Sequence, residues 1–151
     1  MTDIGFYHLT RTPLENALPQ LLEKALESGK KVVVRGGTEE RINFLNLAIW
    51  TSDPTSFLPH GSEKEGMAEK QPIWLTFGQD NPNKAEILIS TDGVKSEDFR
   101  AFERCLEIFD GRDEEAVVLA RTRWNFFKEA GCTLTYWRQN EDGRWEKMND
   151  L

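Results

Sequence analysis

The chain has 151 residues, 38% hydrophobic and 30% charged, and its 26 Asp and Glu outnumber its 19 Lys and Arg to leave a net charge of −7. That length and mix fit one globular domain over residues 1–151, while a pI near 4.9 argues against direct nucleic-acid binding, which relies on Lys and Arg neutralising phosphates. No run approaches the roughly 20 apolar residues that cross a bilayer, and the start MTDIGFYHLT lacks the basic flank and apolar stretch of a signal peptide, so a soluble cytoplasmic protein with no membrane partner is expected.

Ile4 to Leu9 reads as a short aromatic-rich strand ended by the turn Thr10-Arg11-Thr12-Pro13. Thr12 offers a cap and Pro13 a first helical residue, but Pro19 lacks an amide hydrogen and predicts a kink or a second start, so the firm helix spans Leu18 to Ser28. The β-branched run Lys31 to Arg35 has the unbroken apolar character of a parallel strand covered on both faces. Thr38 then caps a helix whose stripe is Ile42, Leu45, Ala48 and Ile49, ending at Trp50. Thr51 to Gln71 has no periodicity and predicts an exposed connection. Ile73 to Phe77 and Glu86 to Ser90 read as two central strands. Behind a Ser96 cap, Phe99, Phe102, Leu106 and Phe109 fall at helical spacing, so a helix is expected up to Asp110-Gly111. A last long helix over Asp113 to Glu129 precedes a strand at Thr133 to Trp137 and a hairpin into Arg144 to Lys147. Alternating strands and helices favour an α/β fold with a largely parallel sheet and an antiparallel edge. The two cysteines, Cys105 and Cys132, form no CxxC pair and are expected to be buried reduced thiols.

The chemistry-bearing motifs are sparse. The first strand-to-helix turn contains no glycine, and Gly36-Gly37 lacks the Gly-Lys-Ser/Thr that cradles phosphates. His8 and His60 are not at ligand spacing to each other or to a cysteine, and there is no Gly-x-Ser-x-Gly elbow. A non-enzymatic module without cofactor or metal is therefore expected, with a cryptic nucleotide-binding or hydrolytic α/β enzyme as the alternative. On the last helix Trp124 lies at the edge of the apolar stripe beside Arg121 and Lys128, which suits an acidic peptide ending in an apolar side chain and a carboxylate. The same spacing fits Trp124 closing the core with both cations solvated. The stretch Trp50 to Gly61 contains Trp, Phe, Leu and two prolines, and is either a plug on the core or an apolar patch for another protein.

The motifs Gly5-Phe6-Tyr7-His8-Leu9, Ser28 to Val34, Leu47-Ala48-Ile49-Trp50 through Ser56-Phe57-Leu58-Pro59-His60, Ile87 to Ser90 and Ala120-Arg121-Thr122-Arg123-Trp124 with Ala130-Gly131 together resemble the chi subunit family of bacterial DNA polymerase III. The resemblance spans nearly the whole chain. It implies a three-layer Rossmann-like α/β domain with a mostly parallel central sheet and no nucleotide-binding loop, acting as a non-catalytic accessory of the clamp-loader assembly. In that family one surface takes the acidic, Phe-terminated C-terminal tail of single-stranded-DNA-binding protein, and another docks the psi subunit. Carried over, the tail surface falls on Arg121 and Trp124, and the psi surface on Trp50 and Phe57. Asn125 stands where the family has a lysine, which leaves Lys128 or Arg123 to supply that charge.

Overall fold

A computed structural model describes residues 2–51, 59–63 and 65–151. The strands β1 (Asp3–Leu9), β2 (Val32–Arg35), β3 (Ile73–Thr76), β4 (Ile87–Ser90), β5 (Arg104–Asp110), β6 (Thr133–Gln139) and β7 (Trp145–Met148) form one sheet in the order β3-β2-β4-β5-β1-β6-β7. Every neighbouring pair is parallel except the antiparallel β6–β7 hairpin. Helices α1 (Leu14–Glu27) and α2 (Glu39–Thr51) cover one face and α3 (Glu114–Glu129) covers the other, which makes the three-layer α/β arrangement expected from the alternation of elements.

Strand parity divides the core. In β1, Tyr7 and Leu9 join the leucines of α1 and Ile42, Leu45 and Ile49 of α2, whereas Ile4 and Phe6 point to Ala120, Trp124 and Phe127 of α3. Both sides of the central strands are thereby dry, and their sequences carry little polar alternation.

Four expectations need correction. Residues 104–110 form the interior strand β5, paired to β1 and β4, and only the 3-10 turn Phe99–Ala101 is helical. The phenylalanine spacing is coincidental: Cys105 and Phe109 pack towards α3, and Leu106 and Ile108 towards α1 and α2. Second, α1 runs unbroken through the buried Pro19, because the packing of Leu14, Ala17, Leu18, Leu21 and Leu22 outweighs one missing amide donor, and Pro13 occupies the capping position. Third, β3 is an edge strand rather than a central one. Its apolar run is covered because Gly61 pairs alongside it, donating to the Ile73 carbonyl (3.0 Å) and accepting from the Leu75 amide (2.9 Å). Fourth, His60 and Ser62 are accordingly buried rather than part of an exposed connection. Glu65 fixes this segment to α2 by accepting from the Ser62 amide (2.8 Å) and from Asn46 Nδ2 (3.0 Å).

Candidate protein-binding site

The two turns where a Rossmann-like sheet would hold a phosphate are filled by the chain's own side chains. After β1, the amides of Thr10, Arg11 and Thr12 all donate to Gln139 Oε1, at 3.0, 3.0 and 3.3 Å. After β2, the Gly37 amide donates to Asp92 Oδ2 (3.1 Å), and the same carboxylate pairs with Arg41 (3.2 Å). A phosphate at either turn would have to displace an internal acceptor, and at the second it would also meet a negative charge. The crevice of about 430 Å³ at this end of the sheet is bordered by Asp92, Asp110, Asp113 and Glu115. Its floor holds a buried ion pair between Glu107 and Arg123, in which burial pushes the Glu107 carboxyl up to about 7 despite the attraction of Arg123.

Among the described residues no three His, Cys, Asp or Glu side chains are grouped to hold a metal, and no helix is long and apolar enough to cross a membrane. Both cysteines are free thiols; Cys105 is buried, with burial pushing its thiol up to about 12, while Cys132 is only half-buried.

A different cavity, of about 550 Å³, opens between α3 and the β6–β7 hairpin. Its walls include Arg112, Arg121 and Arg138, with His8 and Tyr136 between them and Val117 and Met148 as apolar lining. Each element delivers its residue for a local reason. Asp113 caps α3, accepting from the Glu115 amide (3.0 Å), and so fixes the rotation that turns Arg121 outward while Ala120, Trp124 and Phe127 face the sheet. Parallel pairing sets His8 beside Arg138 on one neighbour and beside Phe109 on the other. His8 Nδ1 and the Tyr136 hydroxyl are hydrogen bonded at 2.7 Å. The turn after β5 must be Gly111, because a Cβ there would lie 2.0 Å from His8 Nε2.

Burial and two arginines dominate the electrostatics of this cavity, with Asp110 acting against them on His8 and pairing with Arg112 (3.1 Å). Burial lowers His8 to about 4, and the positive charges of Arg138 and then Arg121 add to the effect. Burial raises Tyr136, with the same two arginines pulling it back. His8 is thus neutral at neutral pH, and the guanidinium fields of Arg121 and Arg138 converge on it without protonated histidine. That arrangement can receive a carboxylate beside a small apolar surface.

The residues expected from sequence are placed unequally. Arg121 lines the cavity. Trp124, only 6% exposed, does not: it closes the core edge-on to Phe6 (5.3 Å) and reaches the cavity through the Tyr136 ring (6.3 Å). Trp124 belongs to the centre of the helix's buried face rather than its edge because Arg123, next to it, is also drawn inward by Glu107. Arg123 therefore cannot replace the lysine absent at position 125. Lys128 is exposed, two turns and about 10 Å along the axis from Arg121, so the two cannot clasp one carboxylate but can meet successive acidic groups of an extended peptide. His8, Arg112, Tyr136 and Arg138 were not foreseen. The period-2 placement of Tyr136 and Arg138 on β6 was the available signal.

On the opposite layer, α2 exposes Phe44, Leu47 and Trp50 along its outer side, and the Trp50 ring lies 4.2 Å from that of His60. Phe57 lies outside the described residues.

Comparison with known proteins shows the family of the chain. The family model described as DNA polymerase III chi subunit, HolC, matches residues 1–135. The "Probable DNA polymerase III subunit chi" of Rickettsia prowazekii (strain Madrid E) is 28% identical, covering 98% of this chain and 93% of that protein. The DNA polymerase III subunit chi of Haemophilus influenzae is 25% identical over 86% of this chain and 92% of its own. That of Escherichia coli K12 is 25% identical over 80% and 82%.

Proposed function

The chain belongs to the chi subunit family of DNA polymerase III, and from that premise we propose that it is a non-catalytic accessory subunit that holds the acidic C-terminal tail of single-stranded-DNA-binding protein while another surface docks it to the clamp-loader assembly. The observation that carries this reading is the cavity on an otherwise acidic body in which Arg121 and Arg138 share a wall with the neutral His8 and Tyr136, while Arg112 on the same wall is ion-paired with Asp110. A tail carboxylate enters between Arg121 and Arg138. The last Phe lies against Val117, Met148 and the Tyr136 ring, which Trp124 backs from the core. Lys128 meets acidic residues further up the tail. The net charge of −7 keeps the body away from DNA phosphates, and many tails on coated single-stranded DNA retain the polymerase by raising effective concentration.

The docking surface is assigned to the Phe44–Leu47–Trp50 stripe on α2, together with Phe57, and its partner to psi or an equivalent clamp-loader component; aromatics of this kind dominate protein interfaces. The alternative of a cryptic nucleotide-binding enzyme has no comparable support, since its two candidate turns are already satisfied by Gln139 and Asp92.

The tail assignment is tested by anisotropy titration with a labelled acidic peptide ending in Phe. Arg121→Ala should weaken binding about ten-fold or more, since a charge-assisted contact contributes roughly 1.5 to 3 kcal/mol. A peptide lacking the final Phe should bind poorly at any salt concentration. Asn125→Lys should strengthen binding at low salt. Unchanged affinity for both Arg121→Ala and the Phe-less peptide would remove the site from this cavity.

A further inference from the structure

The cavity at Arg121 is not lined by the three arginines and their neighbours alone. Asp150 and Leu151, which follow β7, form part of its wall. Leu151 is half-buried and packs against the apolar cluster that holds Phe6, Trp124 and Tyr136. Met148, at the end of β7, lines the same space. An exposed acidic residue followed by a half-buried apolar one therefore borders the same space as Arg112, Arg121 and Arg138.

This is the ligand chemistry that the pocket suits, supplied by the chain itself. Building on the tail-binding reading above, we propose that Asp150–Leu151 is an internal occupant of the Arg121 pocket and that an incoming acidic, aromatic-ended tail must displace it. The seating is weak by construction. Asp150 makes no hydrogen bond or ion pair among the described residues, so it leaves the charges of Arg121 and Arg138 available, while Arg112 is already paired with Asp110 (3.1 Å), and Leu151 provides most of the hold through its partial burial. Because the segment is tethered a few residues beyond β7, its effective concentration at the pocket is high even though each contact is slight. A free tail binds only to the fraction of molecules in which the pocket has been vacated, so the apparent affinity falls by that fraction.

Two substitutions in the full chain move the competition in opposite directions. Leu151→Ser should release the segment and tighten the labelled acidic peptide roughly five-fold, on the scale expected for uncovering part of a leucine side chain. Leu151→Phe should hold the pocket more firmly and weaken the peptide. A readout without peptide keeps this separate from the tail assignment: the His8 ring resonances should shift between wild type and Leu151→Ser, because Leu151 and His8 share one cavity. Equal peptide affinity across wild type, Leu151→Ser and Leu151→Phe, or unmoved His8 resonances, would overturn the internal occupant. If the His8 resonances shift and yet no variant binds the peptide, the internal occupant stands and the tail assignment falls.

Discussion

Replacing Glu107 by Gln removes a buried titrating group while keeping its shape and its ability to accept from Arg123. Glu107 is 6% exposed, and its carboxyl is raised from the ordinary 4.5 to about 7, with burial as the main cause. Between those two pH values the native state retains a proton that the unfolded chain has released, so this group's contribution to stability declines as pH rises. At about 1.4 kcal/mol per pH unit, the decline amounts to roughly 3 kcal/mol from pH 4.5 to pH 7. His8 acts in the opposite sense. Its folded value of about 4 lies below the ordinary 6.5, so its contribution is present above pH 6.5 and is lost as pH falls towards 4. The wild-type protein should therefore show a shallow stability profile in which the two slopes offset each other. Urea denaturation of wild type and Glu107→Gln at half-unit steps from pH 4.5 to 7.5 isolates the Glu107 part, because His8 is common to both. The variant carries a constant penalty for pairing Arg123 with a neutral amide, but relative to wild type it should gain about 3 kcal/mol across the range. A difference that stays flat with pH would refute a raised carboxyl at position 107.

Two further substitutions test the division between core and surface. Trp124→Ala should cost roughly 3–5 kcal/mol as a lost core aromatic, lowering the melting temperature by about 10 °C in calorimetry; an unchanged melting temperature with lost peptide binding would make Trp124 a direct contact instead. Trp50→Ala removes a half-exposed ring from the outer side of α2 and should abolish co-purification with psi or its equivalent while shifting the melting temperature by no more than a few degrees. Retained co-purification would place the docking surface elsewhere.

Although the outer side of α2 is apolar as well and the position of Trp124 on α3 was not legible, the extent of α3 and the Ile42, Leu45 and Ile49 stripe of α2 could be read in the sequence from helical spacing. β5 could not, since Cys105, Leu106, Ile108 and Phe109 are buried on both faces and leave no alternation to separate strand from helix, while Glu107 imitates a solvent-facing position until Arg123 is known to neutralise it. β3 was misplaced for a related reason: Gly61 covers its edge from a segment with no periodicity of its own. In the candidate site, Arg121 emerged from one helix considered alone. His8, Arg112 and Arg138 come from other parts of the chain and meet it only through parallel pairing such as His8 with Arg138, a register that no single segment encodes.

The turn after β1 bears on how this protein responds to its surroundings. Three amides converge on Gln139 Oε1, while Gln139 Nε2 donates back to Thr12 Oγ1 at 2.8 Å. In a nucleotide-binding relative of this architecture, the equivalent amides are completed by a diffusible ligand, so that the folded population rises and falls with ligand concentration through mass action. Here the acceptor is covalently part of β6 and always present at full occupancy. The stability of that turn therefore rests on an acceptor the chain itself carries rather than on the concentration of a diffusible one.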